Sequence, residues 1–141
     1  MDPLLAAGRK ILSEQPFSVL LGAELLEFSP GHAILAVAMK QELKQQYGFA
    51  HGGVLSYLAD NALTYAGGSA LGGHGIVTSE FKINYLRPAV GERLIARADA
   101  VHTGKSQAVC RCDIFAIEDG REKLCATAQG TIARLATPGG E

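Results

Sequence analysis

The sequence has 141 residues, 48% apolar and 19% charged, with 13 Lys and Arg against 14 Asp and Glu for a net charge of −1. That length suits one core, so a single domain over residues 1–135 with a disordered tail over 136–141 is expected. The balanced charge without a basic cluster argues against nucleic acid, and no apolar run approaches the ~20 residues of a membrane span.

The first predicted element is a short helix. Asp2-Pro3 forms an N-cap and first-turn pair, Leu4, Leu5, Gly8, Ile11 and Leu12 repeat at helical spacing, and Pro16 stops the run. Arg9 and Lys10 interrupt this apolar stretch, which does not fit a signal peptide and makes the cytoplasm the expected compartment. Phe17 to Phe28 reads as a strand ended by Ser29-Pro30-Gly31, and His32 to Met39 as a second strand completing a hairpin. Lys40 to Ala50 is an irregular connection leading into a helix that opens at Gly52-Gly53.

From Gln45 through Ser79 only Asp60 carries a formal charge, where the chain average predicts six or seven. Within that window Val54, Leu55, Leu58, Ala59, Ala62, Tyr65 and Ala66 form a core face at about 100° per residue. The opposite face carries Gly53, Ser56, Tyr57, Asp60, Thr64 and Gly67, small or uncharged residues apart from the one acid. A surface helix normally shows Lys, Glu and Arg there. The second face is therefore expected to be covered by a partner subunit or a ligand, with one carboxylate in the covered region. Gly67-Gly68-Ser69-Ala70-Leu71-Gly72-Gly73 is expected to end the helix.

Four runs of period 2 follow: Ile76 to Leu86, Arg93 to His102, Gln107 to Glu118 and Glu122 to Leu135. Their separators are short, and Asp119-Gly120 is a strong hairpin signal, so antiparallel neighbours are predicted. The strand over 93–102, with Leu94, Ala96, Ala98 and Ala100 on one face, reads as an open edge and points to a homodimer. The class is α+β: a long central helix wrapped by a curved antiparallel sheet of about six strands, with a short N-terminal helix. Cys110, Cys112 and Cys125 lie in strand-like runs and read as small core residues. His32, His74 and His102 have no carboxylate or cysteine at ligand spacing, so no metal is expected.

This order of elements, with Gln45, His51-Gly52-Gly53 opening the helix, Asp60 nine positions after the His and Tyr85-Leu86-Arg87-Pro88-Ala89 ending the next strand, resembles the PaaI-like acyl-CoA thioesterases of hotdog fold. The resemblance spans about Phe17 to Leu135. It implies hydrolysis of an acyl-CoA, aryl or medium-chain, at sites shared between two subunits, with dimers pairing into a tetramer and no cofactor beyond the coenzyme A of the substrate. It assigns Asp60 as base or nucleophile, the Gly52 N–H as carbonyl donor and Gln45 as the loop amide. His51, Thr64 and Thr78 take supporting positions in the catalytic set. Gly53, Tyr57 and Phe81 would line the substrate path, with Arg87 and Lys105 near the CoA phosphates.

The chemistry agrees with those roles. Attack on a thioester builds negative charge on the carbonyl oxygen, and the first N–H groups of a helix are unpaired at the positive end of its dipole. A glycine there admits the carbonyl closely. Asp60 can activate water or attack directly, and a thiol of pKa about 8.5 leaves without a strong acid. Two rivals stand beside this reading. A hotdog hydratase or dehydratase acting on enoyl or hydroxyacyl thioesters would need a His paired with an acid, in His-Phe-Pro or Asp-x4-His arrangements that this sequence lacks. A non-catalytic acyl-CoA-binding regulatory domain would be expected to lose the acid and to carry a DNA-binding segment.

Overall fold

The computed structural model describes residues 2–136; residues 137–141 of the expected tail lie outside them. The first helix, α1 (Pro3–Ser13), is capped by Asp2, whose Oδ1 accepts from the Leu4 N–H at 2.9 Å. A second helix, α2 (Pro16–Leu21), replaces the first half of the strand predicted over 17–28. Pro16 sits in its first turn, and Gly22, at φ 73, ends it in the left-handed conformation with its N–H bonded to the Val19 carbonyl. A run in which Ser18 is the one polar residue gives no clear period to separate the two readings. Burial does, because Ser18 and Leu21, three apart, point inward while Phe17, Val19 and Leu20 face out.

Strands β1 (Glu24–Ser29) and β2 (His32–Ala38) form the expected hairpin. The long helix α3 (Gly52–Ala70) follows. Its predicted core face is buried throughout, and Leu58 and Leu63 are fully enclosed. Side chains of that size contribute about 1.5–3 kcal/mol each by leaving water. The helix runs through Gly67 and Gly68 instead of stopping there. A Cβ on Gly67 would stand 2.6 Å from Ile132 Cβ, so this glycine lets helix and sheet approach, and Gly67 belongs to the core face. The helix ends at Ala70 with Leu71 as C-cap, and the Gly73 N–H closes the end by bonding back to the Gly68 carbonyl at 2.8 Å.

The remaining strands are β3 (Ile76–Tyr85), β4 (Arg93–Thr103), β5 (Gln107–Glu118) and β6 (Arg121–Arg134), within a residue or two of the sequence reading. Asp119 and Gly120, both at positive φ, make the β5–β6 turn. All pairings are antiparallel, in the order β1-β2-β4-β5-β6-β3, and the sheet curves around α3 as a hotdog fold. Two expectations about this order fail. The link over 87–91 is no hairpin: β3 pairs with β6, and the chain crosses the end of the sheet to reach β4. Nor is β4 an edge, since it lies between β2 and β5; the open edges belong to β1 and β3. A long strand with one unpaired edge invites another chain, so the case for association moves to β3.

Cys110, Cys112 and Cys125 are buried in the sheet, and burial pushes their thiols up to about 11, about 12 and about 11. They are expected to resist a thiol-specific chromogenic reagent at pH 8 until denaturant is added, when all three should react. On the outer face of the sheet, His32 Nδ1 lies 2.7 Å from Asp99 Oδ1 and Nε2 lies 3.0 Å from Glu27 Oε1. The Asp99 hydrogen bond, reinforced by Glu27 and opposed by partial burial, raises the imidazole pKa. A raised folded-state pKa gives stability that is fully present below the unfolded value near 6.5 and lost as pH rises through the folded value. The melting-temperature gap between wild type and His32→Asn should therefore be wider at about pH 5.5 than at about pH 8.5, read by circular dichroism.

Candidate active site

The N-terminus of α3 opens into a cleft of about 550 Å³ lined by Gln45, Phe49, His51, Gly52, Leu55 and Tyr85-Leu86-Arg87-Pro88-Ala89. Two backbone bonds hold it together: the His51 N–H donates to the Leu43 carbonyl at 2.8 Å, and the Ala50 N–H to the Ala89 carbonyl at 3.0 Å. The crossover after β3 is thereby tied to the loop before α3. His51 is the N-cap, its Nδ1 accepting from the Gly53 N–H at 2.8 Å. That bond requires Nδ1 to be unprotonated, so the neutral ring carries its proton on Nε2 and offers a donor. It also occupies the Gly53 N–H and leaves the Gly52 N–H, in the first helical position, without an acceptor among the described residues. Gln45 Oε1 accepts from the Tyr47 N–H, which leaves the amide NH2 of Gln45 to donate.

Sequence gives Tyr85 only as part of a strand end. Its hydroxyl bonds Ser56 Oγ at 2.6 Å and donates to the Gly52 carbonyl at 3.2 Å, fixing the first turn of α3 from the opposite wall. No local spacing shows that the crossover sets it against Gly52.

Asp60 stands eight residues beyond Gly52, about 12 Å along the helix axis, and does not line this cleft in the same chain. It is half-buried, and its Oδ1 accepts from Thr78 Oγ1 at 2.6 Å. Thr64 Oγ1 lies 2.9 Å from Thr78 Oγ1 and donates to the Asp60 carbonyl at 2.7 Å. Three of the six candidate catalytic residues therefore gather around one carboxylate oxygen, and the other three at the cleft. The two hydroxyls hold two protons against three acceptors, so the triad can rearrange. With Asp60 ionised, Thr78 donates to it; with Asp60 protonated, the carboxyl can donate to Thr78 while Thr78 turns its proton to Thr64.

The remaining candidates are dispersed. Arg87 lines the cleft, and Gly53 sits beside it with its N–H engaged by His51. Tyr57 is latched beneath α2: its hydroxyl donates to the buried Ser18 Oγ at 2.6 Å, and its ring meets Phe17 edge-on with centroids 5.4 Å apart. Phe81 packs against the core from β3. Lys105, in the β4–β5 turn, is at the opposite end of β4 from the cleft, about 30 Å away along the strand. Among the described residues no helix is long and apolar enough to cross a membrane.

Comparison with known proteins agrees with this architecture. Residues 47–123 match the Thioesterase superfamily. The chain is 33% identical to the acyl-coenzyme A thioesterase PaaI of Escherichia coli over 82% of its own length and 79% of that protein. It is 30% identical to a 1,4-dihydroxy-2-naphthoyl-CoA hydrolase of Listeria monocytogenes over 80% and 90% of the two chains. Among solved structures, a thioesterase family protein from Silicibacter pomeroyi superposes with a TM-score of 0.85 at 36% identity, covering 89% of this chain and 93% of that one. The chain thus belongs to the thioesterase superfamily, as a PaaI-like thioester hydrolase of hotdog fold.

Proposed function

We propose that the protein hydrolyses an aryl- or medium-chain acyl-CoA to the free acid and CoA at a site assembled from two copies of the chain. The observation that carries this reading is the division of the chemistry. The carbonyl donors, the Gly52 N–H and the Gln45 amide, sit in one cleft, while the carboxylate that must act on the same carbonyl is about 12 Å away beside the open β3 edge. One copy holds both halves and cannot apply them to one substrate. A second copy pairing along β3, the strand that carries Thr78, would bring its own cleft toward Asp60.

In that arrangement the thioester oxygen accepts from the Gly52 N–H, and the helix dipole stabilises the charge that develops there. Asp60 either takes a proton from the water that attacks the carbonyl carbon, the Thr78–Thr64 pair following its change of protonation, or attacks that carbon itself to give a mixed anhydride that water then cleaves to the free acid. CoA leaves as thiolate past Arg87, the cation in the cleft. The test is a panel of acyl-CoA esters read by released thiol, with gel filtration of the same sample. Hydrolysis of at least one aryl or medium-chain ester by a dimer or tetramer is the expected result. A monomer that turns over at full rate would refute the shared site, and inertness toward every thioester would refute the reaction.

A further inference from the structure

Ser56 takes no part in the chemistry above, yet its hydroxyl lies 2.6 Å from that of Tyr85, a residue in the wall of the cleft that holds Gly52. A serine within a helix can turn its hydroxyl back on the carbonyl four residues earlier, which for Ser56 is that of Gly52. Here the Gly52 carbonyl takes the Tyr85 hydroxyl, at 3.2 Å. A phenol has one proton to give. With that proton on the Gly52 carbonyl, the phenol oxygen accepts from Ser56, and the order runs from the Ser56 O–H to the Tyr85 O–H to the Gly52 C=O.

The order continues through the backbone. The Gly52 carbonyl and the Gly53 N–H are the two ends of one peptide group, and a donor on the oxygen makes the N–H at the other end a stronger donor in its turn. That N–H is the one given to His51 Nδ1, at 2.8 Å. An unbroken line of hydrogen bonds thus joins Ser56 to the imidazole that caps α3, and its last member fixes which ring nitrogen carries the proton. Gly53 keeps this last link open, since a Cβ there would stand 3.0 Å from His51 Nδ1. Tyr85 is itself held by the sheet, where the next residue, Leu86, donates its N–H to the Cys125 carbonyl at 2.8 Å. The line therefore ties the first turn of α3 to β3 and β6 at the point where the cleft opens.

We propose that Tyr85 and Ser56 are positioning residues for the carbonyl-polarising end of the site: they hold the Gly52 N–H and the neutral His51 ring in fixed directions while charge develops in the cleft. The proposal rests on the thioesterase reading, in which that charge is on the thioester oxygen. Donors that are already aligned need not reorient as the charge forms, so loosening them slows the chemical step and leaves ground-state binding almost untouched.

The test compares Tyr85→Phe, Ser56→Ala and the double variant with the wild type, on one acyl-CoA ester that the wild type hydrolyses and on amide hydrogen exchange at Gly53, read by NMR. Tyr85 is 53% exposed, so removing its hydroxyl takes away these bonds and leaves the core alone. Tyr85→Phe should lower kcat by about tenfold at a KM within about twofold of the wild type, the scale of one lost hydrogen bond. Ser56→Ala should act in the same direction, and the double variant should be slower than Tyr85→Phe by no more than about twofold, because both substitutions break one line. Gly53 should exchange about tenfold faster in each variant. A loss in Tyr85→Phe that Ser56→Ala does not share would put the phenol on the substrate itself and overturn the positioning role. A raised KM at unchanged kcat would make Tyr85 only a part of the cleft wall and overturn it equally. An active enzyme whose kcat and Gly53 exchange ignore both substitutions keeps the hydrolase reading and loses the proposal. If the wild type hydrolyses no thioester while Gly53 exchange still responds to both substitutions, the brace stands and the hydrolase reading falls.

Discussion

Replacing Asp60 by Asn is expected to lower kcat for thioester hydrolysis by about 10² or more while leaving the fold intact. The substitution is nearly isosteric, and an Asn Oδ1 can still accept from Thr78 Oγ1, now 2.6 Å from the carboxylate. What disappears is the capacity to take a proton or to attack a carbonyl carbon. KM should change little, because the cleft with Gln45 and Gly52 lies elsewhere in the same chain. A melting temperature unchanged beside a collapsed kcat would separate chemistry from structure, and equal turnover by the two proteins would remove Asp60 from the mechanism. Mixing subunits sharpens the result. If Asp60→Asn and Gln45→Ala chains are unfolded together and refolded, half of random dimers are hybrids, each with one intact shared site, so about a quarter of wild-type activity should return. A site contained in one chain would give no recovery.

The largest loss of stability is expected from Gly91→Ala. Gly91 stands at φ 144 in the crossover from β3 to β4, where few side-chain-bearing residues can follow. A methyl there would overlap the Ile117 carbonyl, whose carbon would be 2.7 Å away, and the neighbouring Glu92 N–H donates to that carbonyl at 2.8 Å. Backbone cannot swing aside as a side chain does. Strain at positive φ and overpacking against a ladder bond together should cost about 3 kcal/mol or more, read as a lower urea midpoint at unchanged slope. Gly48→Ala is the control: φ is 88, but no heavy atom lies within 4 Å of the new Cβ, so strain of only about 1 kcal/mol is expected. Equal midpoints for the two variants would refute the steric argument. Because the same crossover carries Arg87, Pro88 and Ala89, Gly91→Ala should also weaken substrate binding in whatever fraction remains folded.

Much of the architecture was readable because it is locally encoded. Alternation placed β3 through β6 within a residue or two, Asp119-Gly120 marked its own turn, and the helical wheel of α3 separated Leu58 and Ala62 from Asp60 and Thr64. The lone acid in a charge-free window led to the half-buried carboxylate that Thr78 holds. Where local signals were silent or misleading, the reading failed. The run after Pro16, apolar except at Ser18, favoured neither period and became α2 instead of strand. Gly67 and Gly68 looked like a helix stop, yet their lack of a side chain serves packing against Ile132 and Ile76. The short link after β3 implied a hairpin, but a short link can also cross the end of a curved sheet.

Side-chain period and turn chemistry act over a few residues, so most core positions, most strand turns and the one carboxylate set apart can be read along the chain. It takes the assembled fold to show that β3 is an open edge, that Tyr85 braces the first turn of α3, that Lys105 ends far from Arg87, and that an uncharged groove meets Thr64 under α1. Those facts depend on the route the chain takes between elements and on contacts between residues such as Tyr65 and Gly8, 57 positions apart. No local spacing carries them.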